Sequence, residues 1–243
     1  MDALVNIQPL LLAQLTPGDY VGFTFFIGSM AMAAATVFFF FQFSQVDKKW
    51  KDSLLVSGLI TFIAAVHYYY MRDFWAESGQ SPTEFRYIDW ILTVPLMCVE
   101  FYLITKKAGA KIGLLWRLII ASLAMLLFGF LGESTGIYNT EETATMSWIM
   151  GLLSGLAYFY ILYMVMFGEV KDLAAQAGPK VAKAVKILAW FVLVGWAIYP
   201  IGYIAGTTGG LFGAQILNGL QMDIIYNIGD AVNKIGFGLV IFS

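Results

Sequence analysis

Apolar runs close to the ~20 residues that cross a ~30 Å hydrocarbon layer as an α-helix recur along the 243 residues, separated by short polar breaks. They fall near residues 20–43, 54–71, 85–104, 114–130, 147–167, 187–204 and 213–242. The pattern predicts an all-α membrane protein, a bundle of seven spanning helices. The breaks are too short for a soluble domain, and no tandem repeat or low-complexity tract is present. Residues 1–243 therefore read as one domain, with residues 1–19 as a segment leading into it.

Composition agrees with the pattern. The chain is 60% hydrophobic and 12% charged, where soluble domains have about 45–50% apolar and ~25% charged residues, and its mean hydropathy is +0.76. No nucleic-acid partner, metal cluster or enzyme active site is suggested, and the bilayer is the first partner. One cysteine, Cys98, excludes a disulfide within the chain. The opening residues lack the basic stretch of a signal peptide.

The net charge of −2 hides a segregation of charges. Lys48, Lys49 and Lys51 sit in the first break, Lys106, Lys107, Lys111 and Arg117 around the third, and Lys171, Lys180, Lys183 and Lys186 in the fifth. These are eleven of the fourteen basic residues. Basic loops stay on the cytoplasmic side, so the N-terminus and residues 1–19 are expected outside and the C-terminus in the cytoplasm.

The third run is apolar enough for a membrane, yet it carries Arg86, Asp89 and Glu100. Ionisable groups at that depth are costly and by default mark a path for charge. Arg86, Asp89, Thr93 and Glu100 lie at i, i+3, i+7 and i+14, close to one helical face. Asp89 and Glu100 are separated by roughly 16 Å along the axis. With this run directed inward, Asp89 belongs to the outer half and Glu100 to the cytoplasmic half. Pro95, between them, removes a backbone donor and is expected to bend the helix.

The last run contains Lys234, nine residues from the end and about 13.5 Å deep at the helical rise. Asp230 precedes it by four residues on the same face. On the residues alone two readings stand. One is a structural Asp–Lys pair that bolts the bundle together. The other is a desolvated amine that condenses with an aldehyde to a Schiff base.

RYIDWILTVPL from Arg86 to Leu96, with a carboxylate seven residues after Thr93, resembles the proteorhodopsin group of microbial rhodopsins. So do WAIYPIG from Trp196 to Gly202 and DAVNK from Asp230 to Lys234, together with HYYYMR from His67 to Arg72 and SPT from Ser81. The resemblance covers nearly all of the chain beyond its first twenty residues. It implies all-trans retinal held covalently on Lys234 and light-driven outward proton pumping in a bacterial cytoplasmic (inner) membrane. Asp89 would be the counter-ion and primary proton acceptor, Asp230 the second counter-ion and Glu100 the cytoplasmic donor. Glu100 would be kept protonated by Leu96, Met97, Val99 and Phe101. Asp89, Thr93 and Glu100 match the proton-pump triplet, whereas the sodium pumps carry Asn, Asp and Gln there and the chloride pumps lack the acidic acceptor.

The same resemblance implies further roles. His67, the single histidine, would hydrogen-bond Asp89, and Arg86 would steady the Asp89 carboxylate and swing during release. Trp90, Val94, Met97, Met125, Gly129, Trp196, Tyr199 and Pro200 would form the retinal pocket, with Met97 at the colour-tuning position and apolar as in the green-absorbing type. Glu133 and Asp223 are candidates for release, although surface solvation is the plainer reading of both, and Asp223 stands where a neutral residue is expected. Tyr158-Phe159-Tyr160 in the fifth run offers no obvious glycine gap, so no carotenoid antenna is expected. Relatives form rings of five or six, so a homo-oligomer is expected. Three other readings compete: a retinal photosensor, a light-driven pump for another ion, and a transporter that couples an Asp–Lys pair to proton flow without a chromophore.

Overall fold

The computed structural model describes residues 16–137, 141–206 and 219–243, without the side chains of residues 135–144, 205, 206, 219 and 220. Every long element among them is a helix. These are α1 (Tyr20–Gln42), α2 (Lys51–Ser78), α3 (Thr83–Thr105), α4 (Ile112–Ile137), α5 (Glu141–Met166), α6 (Glu169–Ala177), α7 (Pro179–Trp190), α8 (Ile198–Gly206) and α9 (Gly219–Phe242). Taken with the short turns that extend them, they make seven helices long and apolar enough to cross a membrane. The predicted N-terminal segment up to residue 15, and the part of the last run before residue 219, lie outside the described residues.

Most helices overrun the apolar runs that announce them. α2 starts at Lys51 and ends at Ser78, well outside residues 54–71. Polar residues continue the backbone ladder until something ends it, and hydropathy does not register that point. Gly79 ends α2: at φ 65° its N–H returns to the Trp75 carbonyl at 2.8 Å, a left-handed cap that suits a residue without Cβ. At the other end of the bundle Gly178 (φ 109°) separates α6 from α7, and Pro179 opens α7, where a missing N–H costs nothing. Asp19 caps α1 by accepting from the Gly22 N–H at 2.8 Å, and Trp75 Nε1 donates to the same carboxylate at 3.0 Å. α3 runs unbroken through Pro95.

α1 packs on α2 and α9, α2 on α3, α3 on α4 and α4 on α5, and α7 and α8 pack on α9. Large apolar side chains such as Phe23, Ile27, Leu152, Phe159 and Val232 are turned outward, as a lipid solvent permits. Hydroxyls stitch helices together inside: Thr36 Oγ1 donates to Thr61 Oγ1 at 2.9 Å, and Ser29 Oγ donates to the Ala65 carbonyl at 3.0 Å.

Between α7 and α8 the helix widens to a π-turn over Phe191–Gly195, closed by Trp196 N–H on the Phe191 carbonyl at 3.0 Å. Such a turn disturbs the regular ladder. Here side chains supply donors: the Tyr158 hydroxyl stands 3.0 Å from the carbonyls of Val192 and Leu193, and Asn233 Nδ2 donates to the Gly195 carbonyl at 2.9 Å. One apolar cluster gathers Trp90, Phe101, Ile161, Leu188 and Phe237, and a second gathers Phe25, Met32, Tyr68 and Met71. A column of buried polar groups runs along α3 and α9, with Arg86, Asp89 and Glu100 on one helix and Asp223, Asp230 and Lys234 on the other.

Candidate functional site

Lys234 lies at the middle of that column. Its Nζ donates to Asp230 Oδ2 at 2.6 Å, one turn back on α9, and to Asp89 Oδ2 across from α3. The three side chains are 1%, 3% and 0% exposed, so bulk solvent does not reach them. One ammonium against two carboxylates leaves one net negative charge in a low-dielectric setting, where an unpaired charge is strongly disfavoured. Tyr199 on α8 donates from its hydroxyl to Asp230 Oδ1 at 3.0 Å. Asp89 Oδ1 has no hydrogen-bond partner among the described residues.

His67 approaches that open oxygen without bonding to it. Its Nδ1 stands 3.7 Å from Asp89 Oδ1 and donates instead to the Ile63 carbonyl, 2.9 Å away on its own helix. The expected direct hydrogen bond is absent because the backbone carbonyl one turn back competes for the same nitrogen. Thr93 is buried beside them, but its hydroxyl donates to the Asp89 backbone carbonyl at 2.9 Å and leaves the carboxylate alone.

Arg86 departs further from expectation. Rather than steadying Asp89, Arg86 Nη2 donates to Asp223 Oδ1 at 2.8 Å and to Asn227 Oδ1 at 3.3 Å, and Nη1 donates to Ser81 Oγ at 3.3 Å. Asp223 is 1% exposed, which overturns its reading as a solvated surface carboxylate. Glu133 is half-buried and faces Tyr87 at the edge of a large cavity, so it too is not simply solvated.

On the opposite half of α3, Glu100 is fully buried. Ser57 Oγ on α2 lies 2.6 Å from Glu100 Oε1 and 3.1 Å from the Ser53 carbonyl. A single hydroxyl hydrogen serves one of these well. If it points to Ser53, the Glu100 contact requires a hydrogen on the carboxyl, and no cation pairs with Glu100 among the described residues. Phe101, Ile104 and Phe237 pack in the same half of the core.

The cavity has a volume of about 560 Å³ and is bounded by Trp90, Val94, Met125, Gly129, Trp196, Tyr199 and Pro200. Met97, the remaining expected pocket residue, is buried but is not among the lining residues. The Trp90 and Tyr199 rings meet at 4.7 Å. Trp90 neighbours Asp89 in the chain and Tyr199 bonds Asp230, so this wall joins the cavity to the ion triad. The fifth helix is also more open than its Tyr158-Phe159-Tyr160 stretch suggests. Gly151 and Gly155 line the cavity with the outward-facing Leu152 and Leu156, and nothing stands within 4 Å of a Cβ built on Gly155. The premise that this helix lacks a glycine gap is therefore corrected. At Gly151 the gap is taken up by the Tyr203 ring, which a Cβ would meet at 2.8 Å.

The bacteriorhodopsin-like protein family model matches residues 19–243. The chain belongs to this family, the microbial rhodopsins. It is 44% identical over 230 residues to a green-light absorbing proteorhodopsin of gamma-proteobacterium EBAC31A08, covering 94% of this chain and 88% of that protein. It is 46% identical over 226 residues to a blue-light absorbing proteorhodopsin of gamma-proteobacterium Hot 75m4, covering 93% and 86%. The crystal structure of a blue light-absorbing proteorhodopsin from Med12 superposes with a TM-score of 0.74 at 42% identity, over 92% of this chain and 96% of that one. The cofactor of this microbial rhodopsin is retinal, bound covalently as a Schiff base.

The described residues fit that group. A lysine amine is buried between two carboxylates. Lys234 is not among the residues lining the cavity, but the Trp90–Tyr199 wall links its site to that apolar, aromatic-walled space, which is within the size range of small-molecule pockets. Ser57, Asn227 and Tyr226 are functional neighbours that the sequence reading missed. Their only signal was polarity on the inward stripe of an apolar helix.

Proposed function

We propose that this microbial rhodopsin is a light-driven outward proton pump, with retinal on Lys234, Asp89 as primary acceptor, Asp230 as second counter-ion and Glu100 as cytoplasmic donor. The observation that carries the reading is the division of acids along the column. Two carboxylates clamp Lys234 Nζ, and a third, with no cation paired to it among the described residues, is buried on the other side with a hydroxyl as its partner.

When bound, retinal supplies a light-driven isomerisation that turns the lysine nitrogen and weakens its hold on a proton. The chain's own residues give that event a direction. Asp89 presents an oxygen, Oδ1, that lacks a hydrogen bond and can hold a proton. A proton that leaves the Lys234 nitrogen for Asp89 neutralises a cation and a carboxylate together, leaving the net charge of the triad unchanged and Asp230 as its one remaining charge. Asp230, bonded by Tyr199, keeps the nitrogen in register. Glu100 keeps a proton ready in apolar surroundings and returns it from the other side, with Ser57 as its hydrogen-bond partner. Trp90, Trp196, Tyr199 and Pro200 restrict the space and exclude water.

Lysine placement supports a cytoplasmic side at the Glu100 end, which makes the net direction outward. In this reading the protein is a multi-pass protein of a bacterial inner membrane, with its N-terminus outside, and it assembles as a pentamer or hexamer. The test is a light-on, light-off trace of external pH in an unbuffered suspension of expressing cells. Acidification abolished by a protonophore is expected. Alkalinisation enhanced by the protonophore would show transport of another ion.

A further inference from the structure

The Arg86–Asp223 pair is buried but takes no part in the proton steps above. Arg86 sits one turn outward of Asp89 on α3, close enough in sequence to serve it, yet its ion-pair partner among the described residues is Asp223, 137 positions away on α9. The hold is multiple. Asp223 Oδ1 also accepts from Ser81 Oγ at 2.7 Å, Ser81 Oγ accepts from Arg86 Nη1, and Asn227 Oδ1 takes a second bond from Nη2. The guanidinium rests 5.2 Å from the centre of the Tyr226 ring and 5.9 Å from that of Phe25, both favourable for a cation.

Three atoms of Arg86, Asp89 and Asp223 are left over, one of them Asp223 Oδ2, which is buried without a hydrogen bond among the described residues. Arg86 Nε, a donor, and Asp89 Oδ1, an acceptor, are both buried without hydrogen bonds among the described residues. A donor and an acceptor one turn apart on the same helix would ordinarily find each other. The contacts with α9 and Ser81 oppose this.

We propose that Asp223 is a positioning residue that holds the Arg86 guanidinium outward, away from Asp89, and so sets how readily Asp89 takes up a proton. The inference rests on the reading of Asp89 as acceptor. Without the Asp223 charge, Arg86 is a buried cation with Asp89 inward and Glu133 on α4 left to answer it. Glu133 is already engaged by Tyr87, whereas Asp89 Oδ1 has no hydrogen bond among the described residues. The approach of Arg86 stabilises ionised Asp89 and makes proton uptake harder. The other groups facing the two sites are accounted for. Lys234 and Asp230 on α9, His67 on α2 and Tyr199 on α8 face Asp89. Tyr68 on α2, Glu133 on α4 and Tyr226 on α9 face Arg86. None of these forms an ion pair with Arg86 among the described residues.

The experiment is a visible-absorption pH titration of purified pigment formed with all-trans retinal, comparing wild type, D223N, D223E, R86Q and the R86Q/D223N double variant. D223N is expected to lower the midpoint of the colour transition by about 1 unit or more, the size of effect an opposite charge has at close range. D223E keeps the pair and stays close to wild type. In the R86Q background the D223N shift falls to less than half, the mark of two residues acting as one device. A D223N midpoint equal to wild type overturns the proposal, as does an equal shift with and without Arg86. If D223N does not accumulate, Ser81→Ala leaves both charges but removes the hydroxyl that bridges them. It is expected to move the midpoint the same way, and an unmoved midpoint is a refutation. A wild-type chain that forms no pigment would instead bring down the retinal reading itself, a result distinct from a pigment that titrates unchanged.

Discussion

Ser57 Oγ and Glu100 Oε1 lie 2.6 Å apart between α2 and α3, both buried, and the Ser53 carbonyl competes for the serine hydrogen. If the serine hydrogen serves the Ser53 carbonyl, a neutral Glu100 carboxyl donates to Ser57; otherwise the serine donates to Glu100 Oε1. A light-induced infrared difference spectrum is expected to contain a protonated-carboxyl band that is lost in Glu100→Gln. In Ser57→Ala that band moves to higher wavenumber, as a carboxyl does when its hydrogen bond is removed. A carboxyl region identical in wild type and E100Q would contradict a protonated Glu100.

The donor role has a kinetic consequence. With Glu100→Gln, the proton has to come from bulk water, so recovery of the initial absorbance after a flash slows by about 10²-fold or more, within the range of positioned acid–base groups. The rate then falls about tenfold for each unit rise in pH, because the supply of free protons limits it. Wild-type recovery stays nearly flat over the same range. Unchanged turnover in E100Q removes Glu100 from the path.

His67 stands 3.7 Å from Asp89 Oδ1, with its Nδ1 on the Ile63 carbonyl. A charge or dipole at that range couples to the acceptor even without a direct bond. Replacing His67 with Ala is expected to shift the pH at which the pigment changes colour by about half a unit or more. An unmoved colour titration would exclude His67 from the site.

Tyr158 supplies the hydroxyl facing the Val192 and Leu193 carbonyls of the π-turn. Tyr158→Phe keeps the ring and leaves buried carbonyls without that donor, a loss of about 1–3 kcal/mol. Thermal bleaching should accordingly begin at lower temperature, with the dark absorption maximum little changed. Bleaching at the wild-type temperature would show that the π-turn is satisfied without the tyrosine.

Met97 tests how far the colour argument reaches. Met97→Gln is expected to move absorption toward the blue, as the resemblance implies. Because Met97 is buried without lining the cavity, an unchanged maximum would mean that the lining residues alone set the colour.

Much of this architecture is legible along the chain because lipid imposes a simple rule on composition and length. Lys234 and Glu100 draw attention because their charges stand in apolar runs. What stays hidden depends on partners far apart in sequence. Asp223 reads as a surface acid until folding brings it to Arg86, and no periodicity announces a pair 137 residues apart. Gly151 reads as an ordinary helix glycine until the Tyr203 ring fills its place. The π-turn at Phe191–Gly195 is invisible for a related reason, since the donors facing its carbonyls come from α5 and α9. His67 misleads most simply: the resemblance pairs it with Asp89, but the Ile63 carbonyl takes the nitrogen.

The account turns on one covalent bond at Lys234. The most direct measurement is peptide mapping by mass after the chain is loaded with all-trans retinal and the linkage is reduced with borohydride. The account predicts one retinyl group, on the peptide that contains Lys234, and none in Lys234→Ala. A retinyl group on any other lysine, or an unmodified Lys234 peptide in fully coloured protein, would contradict it.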